Sequence, residues 1–303
     1  MKKTHRIQRA VVVTALFSVA ARSPLLAQSD DWSAVDRALG RAGAAQPGNV
    51  HKFSFPRSDL SVTVNGAPVR AGLALGSWIA FKRTANGQSM AMGDLVLTQD
   101  EVPKVMAKLQ AGGVEQTAVH NHLLGETPRV MYMHIMGMGD PVKVATAIHD
   151  ALALSATPMG PMTPGTTPMT LDTVRVAGAL GVAGKSSNGV YQIGVPRPET
   201  IREAGEEIPP SMGLATAINI QPTSNGRALA TGDFVLLPAE VNPVLRALKA
   251  NGIAVTALHS HLLTDQPHVL FMHFWADDDA MNVARGLRAA LDATAMAPGQ
   301  ARK

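Results

Sequence analysis

Seven of the ten histidines in this 303-residue chain fall into two short segments, and six of those seven stand at matching positions. VHNHLLGETPRVMYMH, Val119 to His134, carries His120, His122 and His134. LHSHLLTDQPHVLFMH, Leu258 to His273, carries His259, His261 and His273 at the same spacing. Imidazole is neutral near pH 7 and ligates transition metals readily. Three imidazoles suit zinc or copper and leave a fourth position for water, substrate or a carboxylate. Glu126 aligns with Asp265, so each segment also keeps an acid near its middle. Such an acid could complete the shell, orient a histidine, or act as base on bound water. The candidate metal ligands are therefore His120, His122, His134 and Glu126 in the first segment, and His259, His261, His273 and Asp265 in the second. No catalytic residue is assigned. The competing reading leaves the histidines hydrogen-bonded in a polar core layer and the acids as ordinary turn residues.

The remaining histidines are not retained between the segments' surroundings. His51 aligns with Tyr191, His149 with Arg288 and His268 with Arg129, while His5 lies in the leader. Duplicated halves drift unless something constrains a position in both. That singles out the three repeated pairs.

Strand geometry makes the idea specific. Residues i and i+2 of a strand share a face, so His120 and His122 point the same way. A hairpin with His120 opposite His134, closed by a loop of about five residues around Gly125 to Arg129, gathers all three on one face. A one-residue slip would send His134 to the other side. Val119, Leu123, Met131, Met133 and Ile135 are then expected on the opposite face, against helices. Tyr132, Phe271 and Trp275 are expected beside the histidines.

The histidine segments belong to a larger repeat. Gly93 to Leu124 aligns with Gly232 to Leu263 without a gap, at an offset of 139 residues, and Pro56-Arg57 meets Pro196-Arg197 at an offset of 140. Between the copies, SATPMGPMTPGTTPMT holds four prolines and cannot continue a helix or a central strand. The expected organisation is a leader over 1–27, a first repeat over 28–155, a Pro/Met-rich linker over 156–170, a second repeat over 171–295 and a tail over 296–303. Within each repeat, DLSVTVNGAPVR reads as strands, and Asn86-Gly87 marks a hairpin turn. A helix is expected from Asp100 to Gln110, ended by Gly112-Gly113 (Asn251-Gly252 in the second copy). A last helix is expected from Pro141 to Leu154, with Asp277 to Asp279 at the matching start. The fold class is α+β: two homologous repeats, each a mainly antiparallel sheet with helices packed on one face.

The leader sets the expected compartment. Lys2, Lys3, Arg6 and Arg9 precede an apolar run from Val11 to Ala21, the pattern of a secretory signal, with cleavage favoured after Ala27. Its five basic residues and lack of acids account for the formal charge of +4; the remainder carries 22 basic against 23 acidic residues. The charge is thus no argument for nucleic-acid binding. The chain has no cysteine, which excludes disulfides, thiolate metal sites, Cys nucleophiles and a lipidated cysteine. No stable membrane span is expected after cleavage, and the protein is expected to be periplasmic or secreted.

TAVHNHLLGETPRVMYMHIMG and TALHSHLLTDQPHVLFMHFW resemble the exported family typified by the mycobacterial lipoproteins LppY and LpqO. The similarity covers nearly the whole mature chain. It implies an envelope location and lends no activity or catalytic residue, because that family is a domain of unknown function. This chain departs from it in lacking the lipidation cysteine.

Other motifs weigh less. His120-x-His122-x3-Glu126 has the spacing of the first cupin metal motif, but His134 follows too early for the second, and helices interrupt where a jelly roll needs strands. Met131, Met133, Met136 and Met138 surround His134, and Met159, Met162 and Met169 lie in the linker; thioethers favour copper. Asp94 and Asp233, each after a glycine, could be ligands, but a turn or bulge is the expected role. Thr98-x-x-Glu101 reads as a capping box. No phosphate loop or nucleophile elbow occurs, so neither a nucleotide cofactor nor a serine hydrolase is expected. The expected function is binding of zinc or copper in the cell envelope. The alternatives are a metal-independent module for a small envelope ligand and a metal-dependent hydrolase using Glu126 or Asp265.

Overall fold

A computed structural model describes residues 31–84, 87–161 and 165–295. The leader, Asn86 of the first turn, Met162 and the tail over 296–303 lie outside the described residues. The first repeat runs α1 (Ser33–Leu39), β1 (Ala44–Gln46), β2 (Val50–Pro56), β3 (Val62–Val64), β4 (Ala67–Val69), α2 (Ala71–Ala74), β5 (Gly76–Arg83), β6 (Ser89–Thr98), α3 (Val102–Ala111), β7 (Glu115–His120), β8 (Glu126–Thr127), β9 (Val130–Gly139) and α4 (Pro141–Leu152). The second runs α5 (Thr173–Leu180), β10 (Lys185–Ser187), β11 (Val190–Pro196), β12 (Arg202–Glu203), β13 (Glu206–Glu207), a short 3-10 turn (Pro210–Met212), β14 (Ala215–Pro222), β15 (Arg227–Leu236), α6 (Pro238–Ala250), β16 (Ala254–His259), β17 (Leu270–Asp279) and α7 (Ala280–Leu291).

Each repeat builds a six-stranded antiparallel sheet with the same order, β1-β2-β5-β6-β9-β7 and β10-β11-β14-β15-β17-β16. Strand alternation gives each sheet two unlike faces. In the first, Phe53, Ile79, Leu95, Met133 and Ile135 meet Leu39 of α1, Val105 and Leu109 of α3 and Ile148 of α4. In the second, Ile193, Ile218, Phe234 and Phe274 meet Leu180 of α5, Leu248 of α6 and Leu287 of α7. The helices therefore cover one face of each sheet, and the fold is α+β with antiparallel sheets. Helix ends follow local chemistry. Gly113 (φ 75°) and Gly252 (φ 71°) take the left-handed conformation beyond α3 and α6. Asp140 and Asp279 cap α4 and α7 by accepting from Lys143 N and Met281 N.

The uncovered faces of the two sheets meet each other. Two apolar clusters span the repeats there. One joins Met92 and Met136 to Val235, Leu262 and Phe271; the other joins Val96, Leu123 and Tyr132 to Val190, Leu229 and Trp275. Along β9 the order is Tyr132, His134, Met136, and along β17 it is Phe271, His273, Trp275. The repeated histidines thus occupy a polar layer between two apolar ones.

Several expectations are corrected. His120 pairs with Tyr132, and His134 pairs with Ala118, across a bulge between Gln116 and Ala118. The register is two residues from the expected one, so the side-chain parity survives. The tight five-residue loop is replaced by residues 121–129, in which β8 leaves to pair with β3. Leu123 lies on the histidine side, packed with Tyr132, because the chain has left the strand by then. Met159 and Met169 pack against the first and second helix-side cores, so these linker methionines fill apolar gaps. α1 and α5 had no sequence expectation; each is short and ends at a left-handed glycine, Gly40 or Gly181.

Candidate metal centre

The six repeated histidines converge. One ring nitrogen from each of His120, His122 and His134 lies within 4.8 Å of the others, and the same holds for His120, His259, His261 and His273. Between repeats, ring centroids are 3.8 Å apart for His120 and His259, 4.0 Å for His122 and His273, and 3.6 Å for His134 and His261. His122 is the counterpart of His261, and His134 of His273. The contacts are therefore related by a pseudo-twofold axis that passes between His120 and His259. Tyr132 stacks on His122 at 3.4 Å and Phe271 on His261 at 3.6 Å, an equivalent pair of apolar backings.

Hydrogen-bond accounting separates this layer from an ordinary polar core. Nε2 of His120, His122, His134, His259, His261 and His273 is buried with no partner in the protein, and so is Nδ1 of His120. Buried polar atoms are rarely left this way. His259 points Nδ1 at the carbonyl of Ser260, 3.2 Å away, which fixes the ring and leaves Nε2 facing the cluster. Burial, together with neighbouring His259, pushes His120 down to about 3. Burial likewise holds His122, His134, His261 and His273 well below the usual histidine range, and lowers His259. The layer is a set of neutral nitrogen donors.

Two carboxylates that the sequence suggested for turns belong to this layer. Asp94 pairs with His134 across β6–β9, and Asp233 with His273 across β15–β17. Asp94 lies 3.8 Å from Nε2 of both His122 and His134. Burial, then the charge of Asp233, raises Asp94 to about 8, with Lys52 opposing; burial raises Asp233 to about 7. The preceding glycines explain the aligned Gly-Asp pairs. A Cβ at Gly93 would stand 2.7 Å from the Trp78 carbonyl oxygen, and one at Gly232 would stand 1.9 Å from that of Ala217. Only glycine lets the neighbouring backbone approach so closely beside the acid. An ungapped Gly-Asp pair in both copies was the available signal.

Glu126 and Asp265 stand apart from both nitrogen groups. Glu126 is buried in β8, with Arg129 Nε 4.0 Å from its Oε1. Asp265 accepts from Val269 N at 2.6 Å and bonds His268 Nδ1 at 3.0 Å, so it shapes its own loop. The unrepeated histidines are also local: His51 bonds Asp36 at 2.7 Å, and His149 lies 3.6 Å from Asp150. Next to the histidine layer is a cavity of about 630 Å3, lined among others by Lys52, Trp78, Gln192 and Asn219. Burial lowers Lys52 to about 8, while Asp94 and Asp233 act to raise it. Nothing in the sequence pattern had marked Lys52.

The donor set fits a transition metal: six imidazoles, two acids, no thiolate, and buried nitrogens without partners. It offers ligation and, with the adjoining cavity, room for a further group on the ion. No curated protein matches the chain. Among solved structures, a trimeric bacterial microcompartment shell protein, PduB, is 14% identical with a TM-score of 0.22, covering 82% of this chain and 89% of that one. EtuB from Clostridium kluyveri is 8% identical with a TM-score of 0.19, covering 82% and 88%. Residues 33–154 and 174–293 each match the family described as Domain of Unknown Function (DUF1259), and the chain belongs to that family through two successive copies.

Proposed function

We propose that the protein binds a transition metal, zinc or copper, in a chamber shared by its two repeats, and that it does so in the cell envelope after export. One observation carries the proposal: six histidines come together in two overlapping groups, and seven of their buried ring nitrogens have no partner in the protein. A polar core layer would have satisfied them internally. The internal repeat adds weight, because the same three positions are kept twice while the other histidines differ. Export rests on the basic, apolar leader, and affiliation with the exported LppY/LpqO group rests on the paired histidine segments. With Asp265 engaged in its own loop and Glu126 outside the nitrogen groups, Asp94 and Asp233 are the better-placed acids for any chemistry at the ion.

Metal analysis of the purified protein, beside a variant with His120, His122 and His134 replaced by alanine, tests the reading. The wild type is expected to retain zinc or copper through dialysis, and the variant to lose at least tenfold in affinity. Equal metal content in the two proteins contradicts it. Fractionation of cells expressing the full chain tests export, with recovery in the periplasm or medium as the expected result.

A further inference from the structure

The chamber is symmetric where it would hold metal and asymmetric where it would hold anything else. The six histidines, Asp94 with Asp233, and Gly93 with Gly232 are shared by the repeats. The cavity wall beside them is not. Lys52 of β2 corresponds to Gln192 of β11, since the paired neighbours Ala80 and Asn219 also correspond. Trp78 lies across from Asp94, where Ala217 lies across from Asp233. Met92 corresponds to Thr231. One side of the cavity therefore carries an ammonium and an indole, and the other carries amides, a hydroxyl and a methyl group. Duplication preserved the ion's side and let the wall diverge, so the two sides of the cavity now differ in chemistry.

The wall's chemistry names the ligand class. Gln192 and Asn219 are engaged in holding α2, donating to Gly72 O and Leu73 O at 3.2 Å each. Lys52 is the sole Lys or Arg among the residues lining this cavity. Its Nζ lies 4.1 Å from the Trp78 ring centroid and donates to Ser211 O at 3.0 Å. An ammonium has three donors, so two remain for a ligand. Asp94 and Asp233 lie on the histidine side, where a bound cation takes up their charge. An ion on one side and an ammonium on another both favour an oxyanion and both repel a cation. The cavity volume, about 630 Å3, is that of a small-molecule site.

We propose that this cavity binds a small carboxylate, whose oxyanion reaches the metal and is held by Lys52, with the rest of the molecule beside Trp78. This rests on the metal-binding reading. The test uses the full mature chain loaded with cobalt(II) or zinc, titrated calorimetrically and by cobalt absorption with acetate, oxalate and benzoate. Inorganic phosphate is run in parallel. At least one carboxylate is expected to bind and alter the cobalt spectrum. Lys52→Gln and Lys52→Met are expected to weaken that binding about 10-fold or more, with metal content and melting behaviour near wild type. Gln192→Lys, on the opposite wall, is expected to strengthen it. Loaded wild type that binds no carboxylate, or binds only phosphate, overturns the proposal. So does a folded Lys52→Gln protein with unchanged carboxylate affinity. A wild-type protein that takes up no metal overturns the metal reading itself, a result distinct from these.

Discussion

Two buried polar clusters are each written twice in this chain, and they differ in one respect. Beside each helix layer, an arginine meets a glutamate. Arg57 donates to Glu101 at 2.7 and 3.2 Å and to Asp59, while Glu101 also accepts from Thr98 N and Ala156 N. Arg197, Glu240, Glu199, Leu237 N and Ala295 N repeat the arrangement. Every strong group there has partners. Between the sheets, Nε2 of each of the six histidines has none. Both clusters are repeated and buried, so repetition alone does not distinguish scaffold from site. The hydrogen-bond balance does: the arginine cluster is complete as it stands, and the histidine layer keeps buried nitrogens to spare, on which the metal proposal rests.

That contrast can be broken by paired substitutions. Glu101→Ala leaves Arg57 buried without its main partner and is expected to cost about 3–5 kcal/mol of folding stability. Urea unfolding measures it, and metal binding by the folded fraction should be unchanged. His261→Leu removes a buried nitrogen with no partner and is expected to raise the stability of metal-free protein by about 1–2 kcal/mol, while lowering metal affinity. If His261→Leu destabilises the metal-free protein as strongly as Glu101→Ala does, the histidines are scaffold after all.

A smaller effect sharpens the choice between acids. Asp94→Asn is expected to weaken metal binding by about 10–100-fold, the range for groups that support metal ligands. Glu126→Gln is expected to leave it within about twofold, because its carboxylate lies outside both nitrogen groups. Competition against a calibrated chelator reads both. The reverse ranking would return Glu126 to the site.

The legible parts of the molecule were those fixed by periodicity and by the repeat. The period of two gathered His120, Tyr132 and His134 on one face even though the register was wrong by two residues, because a shift of two keeps parity. Gly112-Gly113 and Pro141 marked helix ends because their backbone chemistry is local. What failed was long-range. Glu126 looked like part of a tight hairpin tip, whereas it lies in β8 and pairs with β3, a partner no local pattern encodes. Asp94 and Asp233 looked like turn residues because a preceding glycine usually signals a turn. Here the glycine admits a neighbouring strand's carbonyl instead. Lys52 reaches the chamber only through the order of strands in the sheet, which no local pattern encodes. Met159 and Met169 gained apolar partners only once the linker was laid across both cores.

The central claim is a metal held between the sheets by histidines of both repeats. Anomalous diffraction at the metal absorption edge, from crystals of the purified protein grown with zinc, tests it most directly. The account predicts an anomalous peak in the interior layer, within about 2.0–2.3 Å of imidazole nitrogens from both histidine segments. A peak confined to surface residues, or an empty interior layer with the imidazoles hydrogen-bonded to ordered water, would contradict it.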